Sequence, residues 1–141
     1  MSGLINLESL YLNCNQINDL SPLNNPVALK HLELRENPIS DISPLSRAVN
    51  LQELVLYSEL LCDLSPLSGL VNLKNLDLKC KLIKDINPLG DLVNLDKLDL
   101  ASDLLTDISA VSKLKNLDKL SLYGSPVSDY SPAAHVRDLQ K

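Results

Sequence analysis

Leucine recurs along this chain at a fixed spacing. It fills the first, fourth and sixth positions of a 22-residue unit that starts at Leu7, Leu29, Leu51, Leu73, Leu95 and Leu117, with no inserted residue. Over its last residues each LxxLxL run alternates apolar and polar side chains, the period of a strand with one buried face. Further along the unit comes Asp-Ile/Leu-Ser-Pro-Leu, as in Asp41-Ile42-Ser43-Pro44-Leu45. Serine is a good helix N-cap and proline a good first helical residue, so a short helical turn is expected to start at Ser21, Ser43, Ser65 and Ser131.

Each unit is thus one strand, one corner and one helical turn. A unit this small cannot bury its own leucines, but stacked copies share a continuous core, with strands about 4.8 Å apart in a parallel sheet. The expected fold is an α/β, right-handed solenoid with the sheet on its concave face and the helical turns on its convex face.

The pattern LxxLxLxxNxI followed by DISPLxxLxNL resembles the 22-residue class of leucine-rich repeats, seen in bacterial internalins and in the leucine-rich regulatory subunit of type 1 protein phosphatase. The resemblance runs from Leu4 to about Leu139. It implies a curved sheet whose concave face binds another macromolecule, usually a protein, and it brings no catalytic residues. Fold and function are separable, because such repeats carry many partners on one scaffold.

The domain organisation expected is a single leucine-rich-repeat domain over 1–141: a partial unit at 1–6, six units from 7 to 138, and a capping helix over about 131–141. The helix follows from Ala133, Val136 and Leu139 at helical spacing. Residues 1–6 match only the tail of a unit, where members of the family commonly carry a separate cap. Self-association through that uncapped coil, giving a structural solenoid or homo-oligomer, is the alternative to partner binding.

Composition narrows the function. A formal net charge of -5 argues against nucleic acid or an anionic membrane as partner. No apolar run is long enough to span a bilayer, and MSGLINLESL lacks the pattern of a secretion signal. Phe and Trp are absent, which leaves leucine to fill the interior. Three cysteines cannot all pair; Cys14 and Cys80 share a repeat position about 15 Å apart, and Cys62 occupies another. Free thiols favour a reducing compartment, so a cytoplasmic location is expected.

Candidate chemistry is sparse. Cys80 lies between Lys79 and Lys81, a setting that favours a thiolate, against the plainer reading of a tolerated exposed cysteine. His31 and His135 belong to no triad or metal pattern. No enzyme, cofactor or metal site is expected. Asp19, Asp41, Asp63, Asp85, Asp107 and Asp129 form a column of carboxylates, each expected to accept backbone N–H bonds at the corner before its helical turn.

Binding then rests on strand positions that point out of the concave face. The candidate partner-binding residues are Tyr11, Glu33, Arg35, Tyr57, Asp77, Lys79, Asp99 and Tyr123, with Asn13, Val55, Ala101 and Ser121 in the same rows. Tyrosine and arginine are enriched in binding hot spots. Tyr130 takes a position held elsewhere by Leu or Ile and is expected in the core.

Position nine of the unit raises the sharpest question. The resemblance implies an inward asparagine there, satisfying backbone groups of the corner. Asn15 and Asn37 obey, but the next occupants are Glu59, Lys81, Asp103 and Ser125. At position ten, Leu60, Leu82 and Leu104 accompany the three charged residues, where Gln16, Pro38 and Pro126 stand elsewhere. In one arrangement the charges pair inside and the leucines form an exposed rim, a surface for a partner or for self-association. In the other the charges swing to solvent and the leucines turn toward the core. Burying single ions costs on the order of several kcal/mol each, which favours the second.

Overall fold

Alternation places the leucines of each LxxLxL run on one face, and Leu32, Leu34, Leu54, Leu56, Leu76 and Leu78 are fully or almost fully buried. A computed structural model of the chain describes residues 6–141. The runs form β1 (Ser9–Tyr11), β2 (His31–Leu34), β3 (Glu53–Tyr57), β4 (Asn75–Lys79), β5 (Lys97–Ala101) and β6 (Lys119–Ser121), and the sheet ends in β7 (Asp138–Gln140). All seven lie parallel in chain order. From Leu10 beside Leu32 to Leu98 beside Leu120, neighbours pair one full repeat apart. The architecture is the leucine-rich solenoid expected from the repeat, its side chains stacking leucine on leucine through one continuous core. The partial unit ending at Asn6, with Leu4 and Ile5, lies almost wholly outside the described residues.

The opposite face carries 3-10 turns at Ser21–Leu23, Ser43–Arg47, Ser65–Leu67, Asn87–Leu89, Ser109–Lys113 and Ser131–Ala133. Four were expected; those at Asn87 and Ser109 come in addition. The serines do not cap them, since no side-chain cap bond forms. The aspartate two residues earlier does that work. Asp19, Asp41, Asp63, Asp85, Asp107 and Asp129 each accept, through Oδ1, the backbone N–H at the start of the turn at 2.8 Å. In three of these corners the serine hydroxyl also donates to the carboxylate, at 2.8 to 3.0 Å.

The capping helix expected over about 131–141 is not formed. After the turn at Ser131–Ala133 the chain enters β7, and Leu139 pairs with Leu120 nineteen residues earlier instead of a full repeat. Spacing by three misled the helical reading, because it is also the spacing of the coil's own turns. Leu67, Leu70, Leu73 and Leu76 run with it, all buried and none in an α-helix. The last coil omits one such turn: the Val136 N–H donates to Ala133 as Leu114 does to Val111, but the strand then starts at once. β7 gives the edge of β6 its partners, through Leu122 N–H to the Gln140 carbonyl at 2.9 Å and Asp138 N–H to the Asp118 carbonyl at 3.0 Å. Tyr130 packs partly buried against the core, with the Lys141 ammonium 4.4 Å from its ring centroid.

Candidate functional site

The concave face is built from the outward positions of the strands. Tyr57, at the end of β3, stands at its centre: the Arg35 guanidinium lies 5.5 Å and the Lys79 ammonium 4.5 Å from the ring centroid. Its hydroxyl donates to Asp77 Oδ2 at 2.7 Å. Arg35 is held in turn by Glu33 at 2.5 Å, and the Asn13 amide donates to the same carboxylate at 2.7 Å. Asp99, beside Asp77 in the sheet, pairs with Lys97 at 2.8 Å. Cations over an aromatic face are attracted to its quadrupole, so the ring is fixed from both sides. Asp77 Oδ1 is buried without a hydrogen-bond partner.

Of the residues expected to bind, Glu33, Arg35, Tyr57, Asp77, Lys79 and Asp99 therefore form one connected patch. Tyr11 and Tyr123 do not join it. They are 63% and 77% exposed at opposite ends of the sheet, five coils or about 24 Å apart by strand spacing. Val55 lies in the outward row but is buried by its neighbours.

The corners fall into two kinds, and the difference begins one residue before the asparagine position. Cys14, Glu36 and Gly124, at position eight of their units, have φ of 57°, 55° and 82°, in the left-handed region. That turn aims position nine at the corner's own backbone, although Asn15, which donates to the Leu12 and Asn13 carbonyls at 2.9 and 3.0 Å, stays exposed and Ser125 is half-buried. Asn37 is buried, donates to the Leu12 and Arg35 carbonyls at 2.8 and 3.1 Å, and accepts the Ile17 N–H at 3.0 Å.

In the three central units position eight is Ser58, Cys80 or Ser102, none has a positive φ, and all three side chains are buried. The Ser58 hydroxyl donates to the Ile39 carbonyl at 2.6 Å and accepts the Leu60 N–H at 3.2 Å. Ser102 donates to the Ile83 carbonyl at 2.7 Å. Position eight thus takes over the asparagine's task of satisfying the coil before it, and position nine is released to solvent.

Glu59, Lys81 and Asp103 accordingly point outward, and Lys81 pairs with Glu59 at 2.5 Å in the open. That outcome was expected, but its corollary was wrong. Leu60, Leu82 and Leu104 do not turn inward; they are 50%, 42% and 41% exposed, because position eight and not position ten filled the vacated interior. A rim of three leucines therefore coexists with outward charges.

Cys80 is neither exposed nor activated by its lysines. It is 1% exposed, and burial pushes its thiol up to about 11, while Lys79 and Lys81 reach solvent. All three cysteines are free, Cys14 and Cys62 at the surface. Among the described residues no group of three or more His, Cys, Asp or Glu side chains is placed to hold a metal ion, and no helix is long and apolar enough to cross a membrane.

Two features escaped the sequence reading. The serine, cysteine, serine run at position eight was visible as small side chains wherever position nine is charged. On the other rim Val27, Val49, Val71 and Val93 form a second half-exposed column, and Asn50, Asn72, Asn94 and Asn116 each donate to the valine carbonyl of the coil before at 2.7 to 2.8 Å.

A family model described as Leucine Rich repeats (2 copies) matches residues 27–69. The chain is similar to the crystal structure of an internalin (inlF) from Listeria monocytogenes, with 35% identity and a TM-score of 0.92 over 99% of this chain and 42% of that one. It is similar to internalin C2 from the same organism at 32% identity and a TM-score of 0.77, over 95% of this chain and 70% of that one. A leucine-rich-repeat protein of Leptospira interrogans follows at 26% identity and a TM-score of 0.86, over 96% of this chain and 37% of that one. No curated protein matches the sequence. The chain thus spans less than half of two of these three structures.

Proposed function

The chain belongs to the leucine-rich repeat family, whose members serve widely as protein-binding scaffolds, and from that premise we propose that it is a non-catalytic module that docks a protein partner on its concave face, centred on Tyr57. The observation that carries this reading is the clamped ring: Arg35 and Lys79 lie over Tyr57 while Asp77 accepts its hydroxyl. An aromatic anchor ordered in advance loses little rotamer freedom on binding. Three free thiols support placing this work in a reducing compartment such as the cytoplasm.

The test is affinity capture from a native extract, identification of the captured polypeptide, and its titration against Tyr57→Ala and a convex-face control, Lys113→Ala. Loss of about tenfold or more in affinity for Tyr57→Ala alone is expected of a hot spot. Equal affinity for parent and Tyr57→Ala removes the site.

A further inference from the structure

The rebuilt corners leave a groove of about 690 Å³ along the rim, at the C-terminal ends of the strands. Its floor holds Ser58, Cys80 and Ser102, all buried, and Leu60 and Ala101 line it from opposite sides. Its volume is that of a site for a small molecule or a few peptide residues. Three leucines, each about half exposed, fall well short of the roughly 800 Å² per partner that a stable dimer buries. The groove therefore suits a narrow occupant better than a second copy of the chain.

Charge fixes the chemistry of that occupant. Inside the groove Lys81 is already paired with Glu59, and Lys79 lies over the Tyr57 ring. Among the described residues Glu36 and Asp103, which line the groove on either side of the Lys81–Glu59 pair, form no ion pair, and Glu36 accepts only the Cys14 thiol at 3.6 Å. They stand on the second and fifth coils, about 14 Å apart by strand spacing. An extended peptide rises about 3.3 Å per residue, so its first and fifth residues are about 13 Å apart and, with the third, face the same way.

We propose that this groove binds an extended segment of a partner protein with basic residues at i and i+4 and an aliphatic residue at i+2. The basic side chains meet Glu36 and Asp103, and the aliphatic one rests over Ser58 and Cys80 against Leu60. The groove shares Tyr57 and Lys79 with the concave patch, but the groups that would read the segment, Glu36 and Asp103, lie outside that patch. One partner could engage both.

The test uses the ¹⁵N-labelled full chain and two capped pentapeptides of identical composition, Lys-Ser-Leu-Ser-Lys and Ser-Lys-Leu-Lys-Ser. In the second, the lysines face away from the leucine. The first peptide is expected to shift the amides of Ser58, Cys80 and Ser102 and to bind about tenfold more tightly than the second. Glu36→Gln and Asp103→Asn, both at exposed positions and checked for folding by circular dichroism, should each weaken it about fivefold. Equal binding of the two peptides, no binding of either, or shifts confined to the concave strands would overturn the proposal. So would a dimer in sedimentation that Leu60→Lys disperses and that the peptide fails to compete with, since a second copy would then own the rim.

Discussion

The Ser58 hydroxyl donates to the Ile39 carbonyl at 2.6 Å, joining the third coil to the second at a point where neither strand nor turn supplies a partner. One coil earlier the same service is done by the Asn37 side chain, from the next position along. Ser58→Ala would leave the Ile39 carbonyl and the Leu60 N–H without this buried partner. We expect a loss of about 1 to 3 kcal/mol, read from the midpoint of urea unfolding.

Position eight and position nine act as a unit, and a double-mutant cycle should reveal it. Glu59→Asn alone leaves the unfolding midpoint unchanged, because Glu59 is exposed and the backbone does not turn position nine inward. Ser58→Gly alone destabilises, since it deletes the hydroxyl. The pair combines the position-eight glycine of Gly124 with the position-nine asparagine of Asn37, and should be more stable than the sum of the single changes. Strict additivity would refute the coupling.

Leu60 and Leu61 are adjacent in sequence and opposite in environment, 50% against 0% exposed. Leu60→Asp should unfold at the same urea concentration as the parent. Leu61→Ala should cost about 2 to 5 kcal/mol, the range for emptying a packed leucine site.

Thiol chemistry should divide the cysteines by burial. At pH 8 a disulfide reagent should label Cys14 and Cys62 promptly and Cys80 only at the rate of unfolding. Because burial raises the Cys80 thiol from 9.0 to about 11 in the folded chain, its contribution to stability is intact below pH 9 and lost as pH rises toward 11. Comparison with Cys80→Ala isolates that loss; identical alkaline profiles would contradict it.

Acid should act through the aspartate corners. The Ser65 backbone N–H, and then its hydroxyl, hold the Asp63 carboxyl below its usual 3.8, and Asp19 and Asp129 are lowered in the same way by Ser21 and Ser131. A depressed folded value contributes stability above the unfolded value that is lost as pH falls through the folded one. Carboxyl titration by NMR should give Asp63 a midpoint under 3.8 that Ser65→Ala raises.

Much of this fold could be read from the chain because its rules operate within one unit. Strand alternation at Leu32 and Leu34 and the reach from Asp41 to the Ser43 N–H are both local. The corners were harder, because what Glu59 does depends on which neighbour satisfies the coil before it. Ser58 could, and no rule confined to position nine would say so. Cys80 was misread for the same reason: its lysine neighbours in sequence point away from it. At the last coil, Ala133, Val136 and Leu139 fit a helix face and a stack of short turns equally well, and pairing to β6 decided between them. Within the candidate site, residue types identified the rows, but only the structure joined Tyr57 to Arg35, Lys79 and Asp77 and left Tyr11 and Tyr123 apart.

The three central strands run five residues each, while β1, β2 and β6 have three or four. In a stacked array, stability is close to a sum of coil and nearest-neighbour terms, so the best-bonded coils are the last to open. Fraying should therefore proceed from both ends inward. Amide exchange would then find its slowest protons in β3 to β5, the coils that carry Ser58, Cys80 and Ser102 beneath the rim. The corners that depart from the repeat's asparagine rule would sit in its most persistent part.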